Sequence, residues 1–247
     1  NIKRNMRKAV LHWSGGKDSA LCLHRLRQSG AYDEITLLTT VNQAFGRVSM
    51  HGVRTELLEN QAAATGLPLV QLALPETVAM AEYGRKMLET LRALRDQGFT
   101  DSIFGDIFLE DLKRYREAQL AEAGMNGVFP LWQNKPEQLV REFIDAGFGA
   151  VLVCVNEKHL DASFAGRNLD NALLRDLPPD VDICGENGEY HSFVYAGPIF
   201  KKPIGFTFGQ TVHRNHLPAS DDSPGNCRQH TSANWDTGFF YRDLLPV

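Results

Sequence analysis

Residues 8–26 read KAVLHWSGGKDSALCLHRL, and this stretch decides the fold. The short apolar run at 9–13 predicts a buried strand, and the apolar residues at 19–29 predict a helix that ends at Gly30. Between them lies SGGKDS, a turn at 14–19 with two glycines, two hydroxyls and one lysine. Because the first turn of a helix has unpaired N–H groups and a partial positive charge, this arrangement predicts an anion-binding site.

Strand-like and helix-like segments alternate along the rest of the first half of the chain. Predicted strands lie at 34–41, 69–74 and 102–107, and predicted helices lie at 54–65, 76–97 and 109–123. A glycine follows each of these helices, as is typical of helix C-termini. This alternation predicts βαβ units and therefore an α/β fold with a parallel sheet.

The second half of the chain is less regular. It predicts a helix at 136–146, a strand buried on both faces at 149–155 and a weakly marked helix at 160–179. Residues 211–237 are polar and predict a loop, whereas 238–245 are aromatic enough to pack against the core. We therefore predict a first domain at 1–125, a smaller α/β subdomain at 126–210 and a polar, partly flexible tail at 211–247.

Composition excludes several classes of function. The chain has 247 residues and a net charge of −4, which gives no basic footprint for general nucleic-acid binding. No apolar run reaches the roughly 18 residues of a membrane span, and the first apolar run is too short for a signal peptide. Four scattered cysteines without a CxxC pair argue against a disulfide framework. We expect a cytoplasmic protein whose apolar helix faces are compatible with a homodimer.

The residue types in the turn at 14–19 fit a polyphosphate. Glycines let the backbone curl so that several N–H groups approach one phosphate, and the hydroxyls add further donors. Lys17 adds a positive charge, and we expect its side chain to face solvent when the loop is empty. Asp18 would repel a phosphate, so we expect it to cap the helix or to help hold a metal ion. The predicted nucleotide contacts in this turn are Ser14, Gly15, Gly16, Lys17, Asp18 and Ser19.

This turn follows neither of the two common phosphate-binding patterns. Leu11 stands where the Walker pattern needs a glycine, and GxGxxG is absent. The string SGGKDS instead resembles the signature of the PP-loop ATP pyrophosphatases, which cleave ATP between its α and β phosphates. The resemblance implies a three-layer sandwich with a five-stranded parallel sheet of the adenine nucleotide alpha-hydrolase type. It also implies that ATP and Mg2+ bind here, with the adenine near 39–42 and Thr40 as a nucleotide contact.

A second motif, CGENGEYHS at 184–192, places two carboxylates and an imidazole in a turn that is broken by glycines. Carboxylates near a triphosphate can bind magnesium or act as a general base, and a histidine can carry a proton near neutral pH. From composition alone, a polar surface turn explains the motif equally well.

Together with SGGKDS, the GENGEYHS segment and GPIF at 197–200 resemble the diphthine–ammonia ligase family and its bacterial relatives. The resemblance covers roughly residues 8 to 205 and includes GDI at 105–107 and PLW at 130–132. It implies an amidoligase that adenylates a carboxylate of a small molecule or a modified protein residue and then transfers ammonia to it. The resemblance favours a functional role for the second motif, with Glu186 and Glu189 as substrate or metal contacts and His191 as a third candidate. Together with Lys17, these are the predicted catalytic residues. Gly105 and Asp106 are predicted nucleotide contacts, although a helix-capping role suits Asp106 equally well.

One position departs from that pattern. The family usually has a second glycine where this chain has Asn187. The departure points to the bacterial subgroup, whose members have been linked to cobalamin salvage or have no assigned substrate. The acceptor therefore stays open at this point.

Other functions stay open as well. A sensor that binds ATP or AMP without turnover and a simple nucleotide hydrolase would use the same loop. A thiol at Cys184 would suit sulfur transfer, but the paired cysteines of such enzymes are absent. A further candidate is zinc, for which the spacing of four side chains is suitable, although a polar insertion explains them as well; they are His213, His216, Cys227 and His230.

Overall fold

The computed structural model describes residues 6–42, 47–48, 52–75, 79–216 and 237–247. The elements of the first half are β1 (Lys8–His12), α1 (Lys17–Ser29), β2 (Glu34–Asn42), β3 (Arg47–Val48), α2 (Thr55–Thr65), β4 (Leu69–Leu74), α3 (Met80–Asp96), β5 (Asp101–Ile103), α4 (Glu110–Ala123) and β6 (Asn126–Val128). The elements of the second half are α5 (Pro136–Asp145), β7 (Gly149–Asn156), α6 (Asn171–Asp176), β8 (Tyr190–Ala196), β9 (Phe206–His216) and β10 (Thr237–Pro246), with a 3₁₀ turn at Ala162–Phe164. No helix in these ranges is long and apolar enough to cross a membrane.

The first sheet has five parallel strands in the order β4–β2–β1–β5–β6. The short β3 pairs antiparallel with the end of β2. The strand that precedes SGGKDS is therefore the central one, as β1 pairs with β2 through Val10↔Thr36 and with β5 through Val10↔Ser102. This order brings the carboxyl ends of β1, β2 and β5 to one edge, where ligands bind in open α/β sheets.

Helices cover both faces of this sheet. Ala9 and Leu11 of β1 pack into one buried cluster with α1 and α2, while Val10 points into a second cluster with α3 and α4. The alternation follows from the period of two along a strand. The predicted α/β fold with a three-layer sandwich around a five-stranded parallel sheet is confirmed.

The second sheet is antiparallel, in the order β8–β7–β10–β9. The prediction of a loop from residue 211 is wrong as far as 216, because β9 continues through the predicted boundary at 210 and pairs with β10 over its whole length. The predicted helix at 160–179 is also divided. The side chain of Asp170 accepts hydrogen bonds from Ala172 N and Leu173 N, so that α6 begins there as a separate helix.

Candidate functional site

A cleft of about 800 Å3 opens at the edge where the two sheets meet. Its walls come from the ends of β1, β2 and β5 in the first sheet, and from the end of β7 and the start of β8 in the second. The predicted site residues that line it are Ser14, Gly16, Lys17, Asp18, Ser19, Thr40, Gly105, Asp106, Glu186 and His191. The fold thus brings the two sequence motifs, more than 160 residues apart, to one cavity.

The turn at 14–19 is held by its own hydroxyls. Ser14 Oγ lies 3.2 Å from Ser19 Oγ and accepts a hydrogen bond from Gly16 N, while Ser19 Oγ donates to Gly16 O at 3.0 Å. Gly15 has φ 77°, in the left-handed region that favours glycine. The helix α1 begins at Lys17, so its first N–H groups have no partner within the helix. The result is a rigid turn with a positive end at the cleft.

Lys17 differs from the expectation of a solvent-facing side chain. It is only 6% exposed, its Nζ lies 2.8 Å from Asp18 Oδ2, and it sits 5.6 Å from the centre of the Tyr190 ring. Burial has the largest single effect and opposes the charge, but the Asp18 carboxylate, with smaller contributions from Tyr190 and Cys184, holds the pKa of Lys17 above its usual value. Because β8 covers the loop, the ammonium is fixed at the cleft rather than free in water.

A second set of contacts holds the loop from outside. Gln61 of α2 donates from Nε2 to Gly15 O at 2.9 Å and to Val194 O at 2.7 Å, and its Oε1 accepts from Trp13 Nε1 at 2.9 Å. Ser192 Oγ of β8 accepts from Lys17 N at 3.1 Å. The sequence analysis did not identify these residues, and no local pattern signals a contact between positions so far apart in the chain.

Glu186 is the acidic residue of the second motif that faces the cleft. Its Oε1 accepts a hydrogen bond from Ile107 N at 2.8 Å, which ties the motif to the end of the first sheet. Burial and the nearby Asp18 carboxylate raise the pKa of Glu186 to about 8, against the opposing effects of the Ile107 bond and of Lys17. A carboxyl group with this pKa can give and take a proton near neutral pH.

Glu189 has a different environment from Glu186. It is only 2% exposed and is absent from the cleft walls. Its carboxylate accepts from Asp182 N at 3.1 Å, from Asn187 N at 3.0 Å and from Asn187 Nδ2 at 3.2 Å. The structure therefore gives this predicted catalytic residue the position of an internal brace of the turn.

Asp106 lies beside Arg116 of α4 at the floor of the cleft. Arg116 Nη2 donates to Asp106 Oδ1 at 3.1 Å, Nε lies 2.8 Å from Oδ2, and the guanidinium stacks over the Phe104 ring at 4.3 Å. Burial raises the pKa of Asp106, although the Arg116 charge opposes the shift. Gly105 allows the chain to pass close to α1, because a Cβ there would lie 3.0 Å from Asp18 Cβ.

Magnesium fits this cleft only as a companion of a nucleotide. Within the described residues, no group of three or more His, Cys, Asp or Glu side chains is arranged to hold a metal ion. Mg2+ at nucleotide sites needs only one or two carboxylates, because phosphates and water supply its other ligands. Asp18 lies at the cleft beside the loop, and its charge acts on both Asp106 and Glu186. Asp18 would be the carboxylate that holds the ion, because Asp106 is paired with Arg116 and the raised pKa of Glu186 disfavours its charged form.

Sequence reasoning missed much of the rest of the wall. On the side of the first sheet, His12 stacks on Phe104 at 4.0 Å and lies 2.9 Å from Ser102 Oγ. Burial and the Arg116 charge hold the pKa of His12 well below its usual value. Other residues of the wall that the sequence analysis did not identify are Tyr83, Met87, Leu109, Leu112, Asn156, Lys158, His159 and Gly188.

Neither Cys184 nor His213 lines the cleft. Cys184 is buried, its Sγ donates to Pro136 O at 3.3 Å, and burial raises the pKa of the thiol well above its usual value. A neutral, bonded thiol does not suit sulfur transfer. His213 Nε2 lies 2.6 Å from Glu157 Oε2 on the second sheet. Cys227, His230 and the side chain of His216 lie outside the described residues.

Comparisons with known proteins connect both halves of the chain to one family. Residues 6–127 match the model of the diphthamide synthase N-terminal domain, and residues 135–215 match that of the C-terminal domain. The diphthine–ammonia ligase of Danio rerio is 28% identical over 224 residues, which cover 81% of this chain and 86% of that protein. The human ligase is 27% identical over 222 residues, which cover 81% and 82%. A solved structure, the predicted subunit of a tRNA methyltransferase from Methanocaldococcus jannaschii, aligns over 63% of this chain and 80% of its own, with 18% identity and a TM-score of 0.38.

Proposed function

The chain belongs to the diphthamide synthase family, and on that premise we propose that it is an ATP-dependent ligase that joins ammonia to a carboxylate. The products would be an amide, AMP and pyrophosphate. One observation carries the proposal: the loop at 14–19 and Glu186 line the same cleft. Adenylation followed by amide formation requires a phosphate-binding loop and a carboxyl group that can exchange a proton, both at one cavity.

In the first step, the loop would bind the leaving end of ATP. The N–H groups at the start of α1, together with the Lys17 ammonium, provide positive charge that is fixed before the substrate arrives. An oxygen of the acceptor carboxylate attacks the α-phosphorus, the bond to the β-phosphate breaks, and pyrophosphate leaves with its electron pair. Charge that develops on the leaving oxygens is stabilised by groups that need no reorganisation. Bound Mg2+ would supply additional positive charge to the phosphates.

In the second step, ammonia would attack the carbonyl carbon of the acyl adenylate, and AMP would leave. The attacking nitrogen must lose a proton. Glu186 is the residue we assign to this transfer, because its pKa of about 8 gives it both protonation states near neutral pH. The hydrogen bond from Ile107 N to Oε1 leaves the other carboxyl oxygen for the proton.

The acceptor would enter from the side of the second sheet. That part of the cleft is polar, with wall residues Asn156, Lys158, His159, Asn187 and His191. A basic side chain and two imidazoles suit a carboxylate-bearing molecule. We therefore propose an anionic acceptor, either a free small molecule or a modified protein residue, with diphthine itself as one candidate.

The experiment that tests this function measures release of AMP and pyrophosphate from Mg-ATP, with and without ammonia and candidate carboxylate acceptors. A ligase predicts that release depends on both. Binding of ATP without release would favour a sensor, and release that ignores ammonia and acceptor would favour a hydrolase. Either outcome would reject the ligase assignment.

A further inference from the structure

The conformation of the loop at 14–19 depends on both sheets of the protein, and we propose that Gln61 is the positioning residue that couples them. Gln61 does not line the cleft, so it would act on the nucleotide only through the loop. The proposal rests on the function proposed above, in that the loop must bind the phosphates of ATP.

Three hydrogen bonds fully satisfy the Gln61 amide. The side chain is completely buried, and its partners are an indole N–H and two backbone carbonyls. The indole can only donate and the carbonyls can only accept, so these partners permit a single orientation of the amide. One –NH2 group joins Gly15 O of the loop to Val194 O of β8.

The loop and β8 are also joined directly. Val194 N donates to Gly15 O at 2.9 Å, and Lys17 N donates to Ser192 Oγ at 3.1 Å. The strand β8 is an edge strand of the second sheet. These bonds and those of Gln61 therefore connect the loop at 14–19, which follows the central strand of the first sheet, to the second sheet.

The space around Gly15 and Gly16 shows how closely Gln61 and β8 pack against the loop. A Cβ on Gly15 would lie 2.6 Å from Gln61 Oε1, and a Cβ on Gly16 would lie 3.0 Å from Ser192 O. The loop backbone is thus enclosed by α2 on one side and β8 on the other. A loop that packing and hydrogen bonds hold in its binding conformation loses less conformational entropy when the ligand binds, and this favours binding.

The test is the Gln61→Met variant, which keeps the volume of the side chain but removes both donors. Its matched control is Thr65→Val on the same helix, because Thr65 is also buried but its hydroxyl bonds only to Ala62 O and Leu67 N. Dissociation constants for Mg-ATP are measured by calorimetry well below the melting temperature of each variant. We expect both variants to lose thermal stability, and only Gln61→Met to bind Mg-ATP more weakly, by about ten- to a hundredfold.

A double variant provides a second measurement. Ser192→Ala removes the acceptor of Lys17 N, and its effect on Mg-ATP binding should be non-additive with that of Gln61→Met, since both act through one loop. If Gln61→Met does not fold, Gln61→Asn takes its place, because it keeps a neutral amide on a side chain that is one methylene shorter and so moves the donors away from Gly15 O and Val194 O.

The outcomes separate this inference from the function on which it rests. Failure of the wild type to bind Mg-ATP would overturn the proposed function and this inference with it. Wild-type binding with equal dissociation constants for Gln61→Met and Thr65→Val would overturn the inference alone, because Gln61 would then serve stability only. Weaker binding confined to Gln61→Met supports it.

Discussion

The turn at 14–19 and the turn at 184–192 are both glycine-broken, charged and close to the same cleft, yet they use their side chains in opposite ways. In the first turn, both charged side chains line the cleft. In the second, Glu186 lines the cleft while Glu189 is directed into the turn itself. The comparison teaches that the residue types of a motif indicate its chemistry, whereas packing decides which of its side chains perform it.

The difference follows from which groups accept hydrogen bonds from the backbone N–H groups of each turn. The first turn leads directly into α1, and the hydroxyls of Ser14 and Ser192 accept hydrogen bonds from Gly16 N and Lys17 N. The second turn has no helix of its own. Several of its N–H groups donate to two carboxylates, those of Asp182 and Glu189. Buried backbone groups need partners, so these acids are committed to the turn.

The largest effect that this comparison predicts is that of Glu186→Gln on turnover. The variant keeps an acceptor for Ile107 N but cannot take a proton from the attacking nitrogen. We expect the rate of ammonia-dependent AMP release to fall by about 10²- to 10⁴-fold. At a constant concentration of free NH3, the wild-type rate should rise with pH through about 8, as Glu186 loses its proton, and this rise should be absent from the variant.

Glu122→Gln, an exposed substitution on α4, serves as the control and should change neither the rate nor its pH profile. A Glu186→Gln enzyme with wild-type turnover would show that the second turn carries no chemistry. The proposal that both turns contribute to the reaction would then be wrong.

The next effect is that of Lys17→Met on nucleotide affinity. The substitution removes the ammonium and leaves the Asp18 carboxylate without its partner, so that it repels phosphate. We expect the dissociation constant for Mg-ATP to increase on the order of a hundredfold, measured by calorimetry. Lys202→Met, at an exposed position, should bind like the wild type. If Lys17→Met and Lys202→Met bind Mg-ATP with equal affinity, the first turn is not the phosphate-binding site.

The sequence predicted the first sheet well because its signals are local. Short stretches rich in apolar and β-branched residues mark β1, β2 and β4, and glycines mark the helix ends. The strands β3 and β6 were missed because they have only two and three residues. The edge strand β9 was mistaken for loop beyond residue 210, since most of its side chains are exposed and polar there.

For the site, the sequence predicted the two motifs but not the partners that hold them. Lys17 was expected in solvent because nothing near it in the chain shows that Tyr190 and Ser192 cover it. The separate positions of Glu186 and Glu189 were equally hidden, since both are acids in one short turn. Gln61 lies 46 residues from Gly15 and 133 from Val194, so its contacts exist only in the folded chain.

A smaller effect, on stability rather than chemistry, is predicted for Glu189→Gln. The amide nitrogen of the variant would face a backbone N–H that now donates to a carboxylate oxygen. A buried donor without an acceptor costs about 1–3 kcal/mol, which should lower the melting temperature by roughly 2–12 °C. Calorimetric melting tests this, with Glu122→Gln again as control. A Glu189→Gln protein that melts like the wild type but has lost turnover would return Glu189 to the catalytic residues.

The smallest effect is that of Asn187→Gly, which introduces the residue that the family usually has at this position. The variant loses the bond from Asn187 Nδ2 to Glu189 Oε1 and increases the freedom of the unfolded chain, so the free energy of unfolding should fall by about 1 kcal/mol. Asn187→Ala separates the two causes, because it loses the bond without the added freedom. If Asn187→Gly instead changes the preference among acceptors more than tenfold at unchanged stability, Asn187, which lines the cleft, acts on the acceptor, and the second turn, like the first, uses two adjacent side chains for function.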